Sequence, residues 1–373
     1  ITFLPLTFFD IFIKSTKAMR GIFVPMNLKE FFIFFSLLVT FLSCDNTLVV
    51  TAPFENIPVV YGVLNPNSDT QYVRVGRAFL GQDGPNGGIN NPDSLYYQDL
   101  VLELQAFKDN GDLLWTKALN ETQDVPKDSG LFTNQGHRLY SLVIPKFTLN
   151  DNRLDWSYKL LLKKDTLSAA FASAETPLVK DFTIKRPNFQ GTQRFSFTSS
   201  KGAEIQFYQA INARIYQGYV DFLYMEMPDG DQNDSTRHSV RYFLPYTIGS
   251  SLNGGSYLST SLSYESYYAF LSEVIPVRSG YMRFFRGFTI HLTAGSDDLA
   301  TYISVSQPSN TILQDPPFFT NVDNGAGIFA SRVGLDRPNI GLTSASMDSL
   351  VFGKMTCPLR FAKASFLDTL TCN

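Results

Sequence analysis

The stretch IPVVYGVLNPNSDTQYVRVGRAFL, which runs from Ile57 to Leu80, carries the strongest signal for the fold class of this chain. β-Branched and aromatic residues, the types that favour strands, are frequent in both of its halves. The halves are separated by Asn65-Pro66-Asn67-Ser68, whose residue types favour a turn. The stretch therefore predicts two strands, Ile57–Asn65 and Thr70–Leu80, joined by that turn.

Two more hairpins are predicted further along the chain. The segments Asp99–Phe107 and Gly111–Leu119 flank an Asp-Asn-Gly sequence, which is a strong hairpin signal. Trp156–Lys164 and Thr166–Val179 form another strand pair around a Lys-Asp turn. Strands at this spacing, with turn signals between them, are typical of a β-sandwich. We therefore expect an immunoglobulin-like β-sandwich over residues 54–185.

A second domain is expected over residues 190–373, after the basic linker Lys185–Asn188. Two helices are predicted in it: Ser263–Ile275, with Ser263 as its N-cap, and Ser296–Val305, which opens with two acidic residues. The fold class predicted for the chain is thus mainly β, with a sandwich followed by a β-rich domain that has a few short helices. The strands predicted in the second domain are Arg194–Ser199, Ile215–Met227, Arg237–Tyr246, Arg286–Ala294 and Gly327–Ser331.

The N-terminal segment has the layout of a secretory signal. Residues 1–25 begin without methionine and are interpreted as an over-extended gene model, so that translation is expected to start at Met26. Lys29 supplies a positive charge, and Phe31–Leu42 is an apolar run of twelve residues. Such a run is too short to span a hydrocarbon core of about 30 Å, which needs roughly 20 residues. We therefore expect residues 26–43 to be a cleaved signal peptide.

A small residue followed directly by cysteine, Ser43-Cys44, closes that region and resembles the lipobox of bacterial lipoproteins. Phe41 departs from the Leu-type pattern at the third position before the cysteine. In this interpretation Cys44 is lipidated and residues 44–53 form a tether. The acyl chains then hold the protein on a lipid bilayer, at about 0.8 kcal/mol for each buried CH₂. The alternative is an ordinary signal peptide that is cleaved elsewhere, with Cys44 merely nearby.

The charge balance argues against one class of partner. Four basic and two acidic side chains lie in residues 1–43, so the rest of the chain carries 27 basic and 32 acidic side chains and a net charge of −5. A protein that binds nucleic acid would be expected to present a basic surface. We therefore expect no nucleic-acid partner, and no motif in the sequence indicates a cofactor.

Two cysteines remain once Cys44 is assigned to lipid. Secreted proteins meet an oxidising compartment, so Cys357 and Cys372 are expected to form a disulfide. The bond would close a loop of about 15 residues and stabilise the fold by about 3 kcal/mol in the chain-entropy model. The alternative is a pair of free thiols near the C-terminus.

The sequence contains no motif of a known catalytic site. The three histidines, His137, His238 and His291, are far apart along the chain. Neither a Gly-x-Ser-x-Gly nor a His-Glu-x-x-His motif occurs. We therefore expect a protein that is not an enzyme.

The acidic segment after Pro228 is a weak candidate for a calcium loop. Asp229, Asp231 and Asn233 place oxygen ligands at alternating positions. However, the sixth position is Asp234 instead of glycine, and the twelfth is Val240 instead of glutamate. A solvated hairpin loop is the preferred interpretation, and we expect no metal.

A group of arginines is another candidate site. Arg278, Arg283 and Arg286 lie close in sequence to Tyr281 and Phe284. Together they could form a site for an anion or for aromatic stacking. A solvated face of the protein is the preferred interpretation.

Two stretches connect the chain to a known group of proteins. VVYGVLNPNSDTQYVRVGRAFLG (Val59–Gly81), after a lipoprotein signal, resembles the start of an uncharacterised family of Bacteroidota outer-membrane lipoproteins. PPFFTNVDNGAGIFAS (Pro316–Ser331) resembles their C-terminal hallmark. The resemblance implies an N-terminal immunoglobulin-like domain, a β-rich second domain and no assigned activity. It also implies a lipid-anchored location at the outer membrane, on the periplasmic or cell-surface face, beside a barrel or transporter protein.

The same resemblance implies a modification. Bacteria of this phylum O-glycosylate Ser or Thr after Asp when an apolar residue or Thr follows. Because three-residue matches are frequent by chance, we expect only a minority of the matching sites to be modified. The candidate acceptors are Ser94, Thr166, Ser235, Ser349 and Thr369.

Three functions are compatible with these observations. The leading hypothesis is a non-enzymatic binding or assembly subunit at the outer membrane that engages a protein partner. One alternative is a lipoprotein that captures a glycan or nutrient beside a transporter, which an aromatic platform on the second domain would favour. The other is an extracytoplasmic hydrolase, which would need clustered acids with perturbed pKa values in a pocket.

Overall fold

β-Strands dominate the structure, a computed structural model, and this confirms the predicted mainly β fold class. The structure describes residues 57–78, 95–126, 137–145, 155–188, 193–197, 202–231, 233–306 and 318–363. Three short α-helices accompany the strands in these ranges, as the fold-class prediction required. The predicted over-extension, signal peptide and tether, with Cys44, lie outside the described residues.

Eight of the described strands lie before residue 180. They are β1 (Pro58–Leu64), β2 (Thr70–Arg77), β3 (Val101–Phe107), β4 (Leu113–Ala118), β5 (Asn120–Thr122), β6 (Leu139–Val143), β7 (Ser157–Lys163) and β8 (Ala172–Pro177).

The described elements after residue 180 include all three helices. The strands are β9 (Ile184–Arg186), β10 (Arg194–Phe195), β11 (Ala203–Tyr208), β12 (Ile215–Pro228), β13 (Thr236–Phe243), β14 (Thr247–Ile248), β15 (Tyr257–Leu262), β16 (Tyr281–Gly295), β17 (Val322–Asp323), β18 (Ala326–Leu342) and β19 (Phe361–Ala362). The helices are α1 (Tyr264–Val274), α2 (Asp297–Ser306) and α3 (Ser344–Phe352).

The three predicted hairpins are present. β1 pairs antiparallel with β2 across the Asn-Pro-Asn-Ser turn, β3 with β4 across the Asp-Asn-Gly turn, and β7 with β8. Successive side chains of a strand point to opposite faces of a sheet. Val60, Val73 and Val75 are therefore buried in the core, whereas Tyr61 and Arg74 lie on the other face of the same hairpin.

The longest sheet joins strands from both ends of the described chain. Its order is β13-β12-β16-β18-β1-β2-β6-β5. All neighbours in this order are antiparallel except β1 and β18, which run parallel from the pair Val59–Ala326 to the pair Leu64–Ser331. The N-terminal hairpin is thereby an integral part of a sheet whose other half comes from residues 215–342.

Two glycines allow β1 and β18 to approach each other. Gly327 has a φ of +98°, a conformation that favours glycine, and a Cβ atom there would lie 2.0 Å from the carbonyl oxygen of Val60. Gly62 lies under the ring of Phe329, and a Cβ atom added at Gly62 would be only 2.8 Å from that ring. A larger residue at either position would push the two strands apart.

The first of two hydrophobic clusters lies between two sheets. A five-stranded sheet of order β17-β8-β7-β3-β4 contributes side chains such as Leu104 and Leu160. The long sheet contributes side chains such as Val60, Val73 and Phe329 to the same cluster. Two sheets around one core form a sandwich. The immunoglobulin-like topology of this sandwich stays a prediction.

The second cluster is rich in aromatic rings. It packs a three-stranded sheet of order β15-β11-β9 and helices α1 and α3 against the long sheet. At its centre Phe222 and Phe288 have ring centroids 5.5 Å apart in an edge-on arrangement, which aromatic pairs prefer. β18 supplies Phe329 to the first cluster and Ile340 to the second. The domain boundary near residues 185–190 stays a prediction.

Two of the helices begin where the sequence predicts. The hydroxyl of Ser263 accepts a hydrogen bond from the backbone N–H of Ser266, 3.1 Å away, and so caps α1. α2 opens with its two acidic residues. α3 was not predicted, because its short sequence SASMDSLVF is only weakly amphipathic. None of the described helices is both long and apolar enough to cross a membrane.

Replacing Gly327 with alanine is expected to destabilise the protein by at least about 2 kcal/mol. The new Cβ atom would collide with the carbonyl oxygen of Val60, and the left-handed φ at this position strains any residue other than glycine. The urea midpoint of the purified protein measures this loss. Gly334→Ala is the matched control on the same strand, since a Cβ atom there has no neighbour within 4 Å and should change stability by less than about 0.5 kcal/mol. Equal midpoints for the two variants would contradict the account of the β1–β18 pairing.

Candidate functional site

A cleft opens on the outward face of the β1–β2 hairpin. In the strand register Tyr61 stands opposite Arg74, and Val59 stands opposite Gly76. The cleft has a volume of about 310 Å³, which is at the lower end of the range for small-ligand sites. Its described lining consists of Val59, Tyr61, Arg74, Gly76, Arg77, Leu95 and Tyr96.

Strand alternation and one missing side chain together create this space. The inward valines place Tyr61 and Arg74 on the outer face of the hairpin. Gly76 has no side chain, so the space beside Val59 stays empty. A Cβ atom built at Gly76 would lie 3.5 Å from the carbonyl oxygen of Leu95, so a side chain would fit there. The floor of the cleft is therefore apolar and open at Gly76.

Arg74 is held in place by a buried tyrosine. Its Nη2 donates a hydrogen bond to the hydroxyl of Tyr96, 3.3 Å away, and Tyr96 is only 2% exposed. Arg77, three residues further on, lies with its guanidinium 5.4 Å from the ring centroid of Tyr97, within the range of a cation–π contact. The two arginines thus give one wall of the cleft a positive charge at fixed positions.

Tyr61 provides a neutral hydroxyl on another wall. Burial raises the pKa of the Tyr61 phenol, and its hydrogen bond with Tyr302 raises this pKa further, while the charge of Arg74 lowers it. Because the pKa lies above its ordinary value of about 10, the hydroxyl stays protonated at neutral pH. Tyr302 belongs to α2, so a helix from the C-terminal half of the chain contacts this wall of the cleft.

The described lining residues have the groups of a binding site. Arginine N–H groups and tyrosine hydroxyls can hydrogen-bond a ligand, and Val59 and Leu95 offer apolar contact. Among these described lining residues there is no carboxylate, imidazole or thiol to transfer a proton or attack a substrate. These described residues can orient a bound group.

The sequence analysis placed Arg278, Arg283 and Arg286 on a solvated face. This interpretation was wrong for Arg283, which is buried. Its side chain is 1% exposed and donates to Oε2 of Glu226 through both Nε (2.9 Å) and Nη2 (2.7 Å). It also donates to the carbonyl oxygens of Leu359, at 2.8 Å, and Pro276, at 2.7 Å. Arg278 pairs with the other oxygen of Glu226. Arg283 and Glu226 thus form a buried structural pair, in which each of the three guanidinium nitrogens of Arg283 donates to an acceptor inside the protein.

The charge state of Glu226 depends on this network. Burial by itself would raise the pKa of its carboxyl group. The hydrogen bond and charge of Arg283, helped by the charges of Arg278 and His238, outweigh burial and hold the pKa below its usual range. Glu226 is therefore ionised in the folded protein at neutral pH.

The weak calcium-loop candidate forms the turn between β12 and β13. The carboxylate of Asp229 pairs with Arg360 at 2.7 Å, and Oδ1 of Asp231 accepts the backbone N–H of Asn233 at 2.9 Å. Within the described part of the chain, no three His, Cys, Asp or Glu side chains are grouped so that they could hold a metal ion.

The histidines lie in separate places. Nδ1 of His291 is 2.7 Å from the carboxylate of Asp336, and Nε2 is 3.4 Å from that of Asp221, on the outer face of the long sheet. His238 stacks on Tyr224 with 5.0 Å between ring centroids. Nε2 of His137 lies 3.2 Å from the backbone carbonyl oxygen of Val125.

The predicted covalent sites are only partly within the described residues. Cys357 is disulfide-bonded, and the other two cysteines, Cys44 and Cys372, lie outside the described residues, so the proposed pairing stays a prediction. Among the candidate O-glycosylation sites, Thr166 and Ser235 are exposed between strands, whereas Ser349 is half-buried in α3 and donates its hydroxyl to a helix carbonyl. Ser94 and Thr369 lie outside the described residues.

An exposed pair of tyrosines forms a second surface feature. Tyr208 on β11 and Tyr257 on β15 are direct cross-strand neighbours and are 39% and 54% exposed. The ammonium group of Lys185 lies 3.7 Å from the ring centroid of Tyr257. Glu204 and Gln206 precede Tyr208 on the same strand, and Nε2 of Gln206 donates a hydrogen bond to Oε1 of Glu204, 2.8 Å away. This tyrosine platform was missed from sequence, because neither β11 nor β15 was predicted.

Comparisons with known proteins give no family for the chain. No family model matches it, and no curated protein matches it. Among solved structures, the C-terminal globular domain of an oligosaccharyltransferase from Pyrococcus abyssi is 9% identical with a TM-score of 0.20, and the match covers 64% of this chain and 46% of that one. A cytokine receptor complex is 10% identical with a TM-score of 0.18 and coverage of 77% and 99%. Trypsin-activated alpha-2-macroglobulin from Escherichia coli is 10% identical with a TM-score of 0.17 and coverage of 66% and 15%. Likenesses at these TM-scores carry no argument about this protein.

Replacing Glu226 with glutamine is expected to cost about 3 kcal/mol at pH 7, because Arg283 stays buried without an anionic partner. The folded-state pKa of Glu226 is depressed, so the ion pair stabilises the fold above the unfolded-state value of about 4.3 and this contribution is lost as the pH falls through the folded-state pKa. The difference between the urea midpoints of wild type and variant should therefore shrink between pH 7 and pH 3.

Glu121→Gln is the control for this prediction. Glu121 pairs with Arg138 at 3.2 Å on the surface, where an ion pair contributes less than about 1 kcal/mol. If the Glu226 variant lost no more stability than the Glu121 variant at pH 7, the structural role assigned to the buried network would be wrong.

Proposed function

We propose that the protein is a lipid-anchored, non-enzymatic binding subunit of the outer membrane whose cleft engages its partner. The observation that supports this proposal is the cleft itself, in which Arg74 and the hydroxyl groups of Tyr61 and Tyr96 surround an apolar floor. Such a combination of a few fixed polar groups over apolar surface is typical of binding sites.

The location and the kind of partner follow from the sequence. The Ser-Cys sequence at Cys44 would place the body at a membrane surface through acyl chains. The resemblance to outer-membrane lipoproteins favours a barrel or transporter protein as partner. In this proposal the cleft contacts a negatively charged or hydroxyl-rich part of that partner, because arginine is the side chain that best binds planar anionic groups.

A second function is favoured by the tyrosine platform. Exposed tyrosine rings stack on the C–H faces of sugars, and the carboxylate of the neighbouring Glu204, which is 30% exposed, can accept hydrogen bonds from sugar hydroxyls. In this alternative the protein captures a glycan or nutrient beside a transporter.

The leading proposal predicts that Arg74→Glu abolishes recovery of the partner. The native lipoprotein, tagged at its C-terminus, would be purified from detergent-solubilised outer membrane and its associated proteins identified by mass spectrometry. Wild type should recover a barrel or transporter in stoichiometric amount, and the variant should not, because the new carboxylate would repel the anionic groups that Arg74 attracts.

Arg237→Glu is the matched control, since Arg237 is exposed on β13 and is not among the residues that line the cleft. It should recover the partner like wild type. Recovery of no partner by the wild-type protein, or equal loss in both variants, would count against the proposal.

The glycan alternative predicts that Tyr257→Ala weakens binding to a glycan that the wild-type protein binds, because half of the platform is removed. Calorimetric titration against a glycan panel measures this. Flat titrations of the wild-type protein across the panel would exclude this alternative.

A further inference from the structure

The cleft on the β1–β2 hairpin combines a cationic wall with an apolar floor, and this combination selects a class of ligand. We propose that it binds a small organic carboxylate that has a flat apolar body. This inference rests on the proposed binding function and names the chemistry that the cleft recognises. Each part of the ligand is matched by a separate part of the cleft.

The carboxylate end is matched by Arg74. A guanidinium group presents its N–H donors in a planar fork that fits the two oxygens of a carboxylate. The bond from Nη2 to the buried Tyr96 hydroxyl, at 3.3 Å, fixes the plane of this fork before any ligand arrives. No other hydrogen bond or ion pair engages the Arg74 side chain among the described residues, so the rest of the fork can serve a ligand.

The charge around Arg74 favours an anion. The charged residues in the described lining are Arg74 and Arg77, which are both positive. Arg77 is positioned by its contact with the Tyr97 ring, at 5.4 Å. Tyr61 stands directly opposite Arg74 across the strand pair, and its hydroxyl is neutral and bonded to Tyr302, so it places no negative charge against an anion.

The apolar body is matched by the floor beside Gly76. Val59 and Gly76 are direct cross-strand neighbours, and the absence of a side chain at Gly76 leaves a flat recess next to Leu95. The volume of about 310 Å³ restricts the group that enters the cleft to the size of a small molecule. A ring-shaped body in this recess would remove apolar surface of both partners from water, which stabilises the complex.

Two other ligand classes fit less well. A neutral molecule of the same shape would leave the Arg74 fork without an anionic partner after displacing its water, and this weakens binding. An inorganic anion would leave the apolar floor uncovered. The charge and the flat body are therefore both required, and each can be tested separately.

Benzoate and benzamide are a matched pair of probes, because they share size and shape and differ in charge. Each would be titrated into the purified protein and followed by ligand-observed NMR. Benzoate is expected to bind at least about tenfold more tightly than benzamide, which corresponds to about 1.4 kcal/mol. Inorganic phosphate is the third probe and should bind more weakly than benzoate.

Three variants at two positions separate the charge of the cleft from its shape. Arg74→Gln should remove the preference for benzoate, while Arg74→Lys should keep part of it, since the charge remains but the planar fork is lost. Gly76→Val should abolish the binding of both ring probes by filling the recess, and its Cβ atom meets no backbone atom closer than 3.5 Å. Arg237→Gln, on β13, should bind both probes like wild type.

Several results would overturn the inference. They are equal affinity for benzoate and benzamide, a preference for benzoate that persists in Arg74→Gln, phosphate binding as tight as benzoate binding, or no binding of any probe to folded protein. The urea midpoint of each variant shows whether it is folded, and Gly76→Val keeps the test valid if Arg74→Gln is unstable. If Arg74→Glu loses the protein partner while benzoate does not bind, the proposed function stands and this inference fails.

Discussion

The parallel ladder between β1 and β18 is the constraint on which the other features of the fold depend. Its first pair, Val59 and Ala326, joins residues that are 267 positions apart. Closing so long a loop has an entropic cost, and the ladder therefore forms only together with the sheets that lie between these residues in sequence. The left-handed conformation of Gly327 beside the carbonyl of Val60 makes the close approach possible. One glycine thus connects the packing of both hydrophobic clusters.

The candidate site follows from this constraint. Because β1 is held between β2 and β18, its outer face is fixed, and Tyr61 and Arg74 stand opposite each other on it. The same sheet brings α2 close enough for Tyr302 to hydrogen-bond Tyr61. The cleft therefore combines a wall from the N-terminal hairpin with a contact from the C-terminal half of the chain.

The Glu226–Arg283 network shows a different use of arginine from that in the cleft. Moving both charges out of water is costly, and the network offsets this cost by giving Arg283 two bonds to Glu226 and two to backbone carbonyls. One of those carbonyls belongs to Leu359, in the turn that contains the disulfide-bonded Cys357. Arg283 therefore stabilises the position of the C-terminal segment, whereas Arg74 keeps part of its fork available for a ligand.

Local patterns in the sequence determined the strands of the three hairpins, their turns and the capped start of α1, because these features depend mainly on neighbouring residues. The Asn-Pro-Asn-Ser turn and the Ser263 cap are of this kind. The sequence also contains Tyr61, Arg74 and Gly76 in a predicted hairpin, but nothing local shows that Tyr96 and Leu95 lie beside them. The burial of Arg283 could not be predicted from the sequence either, because its partner Glu226 is 57 residues away along the chain. Only the tertiary structure decided these points, because a cleft and a buried ion pair are made by residues that meet only after the sheets have assembled.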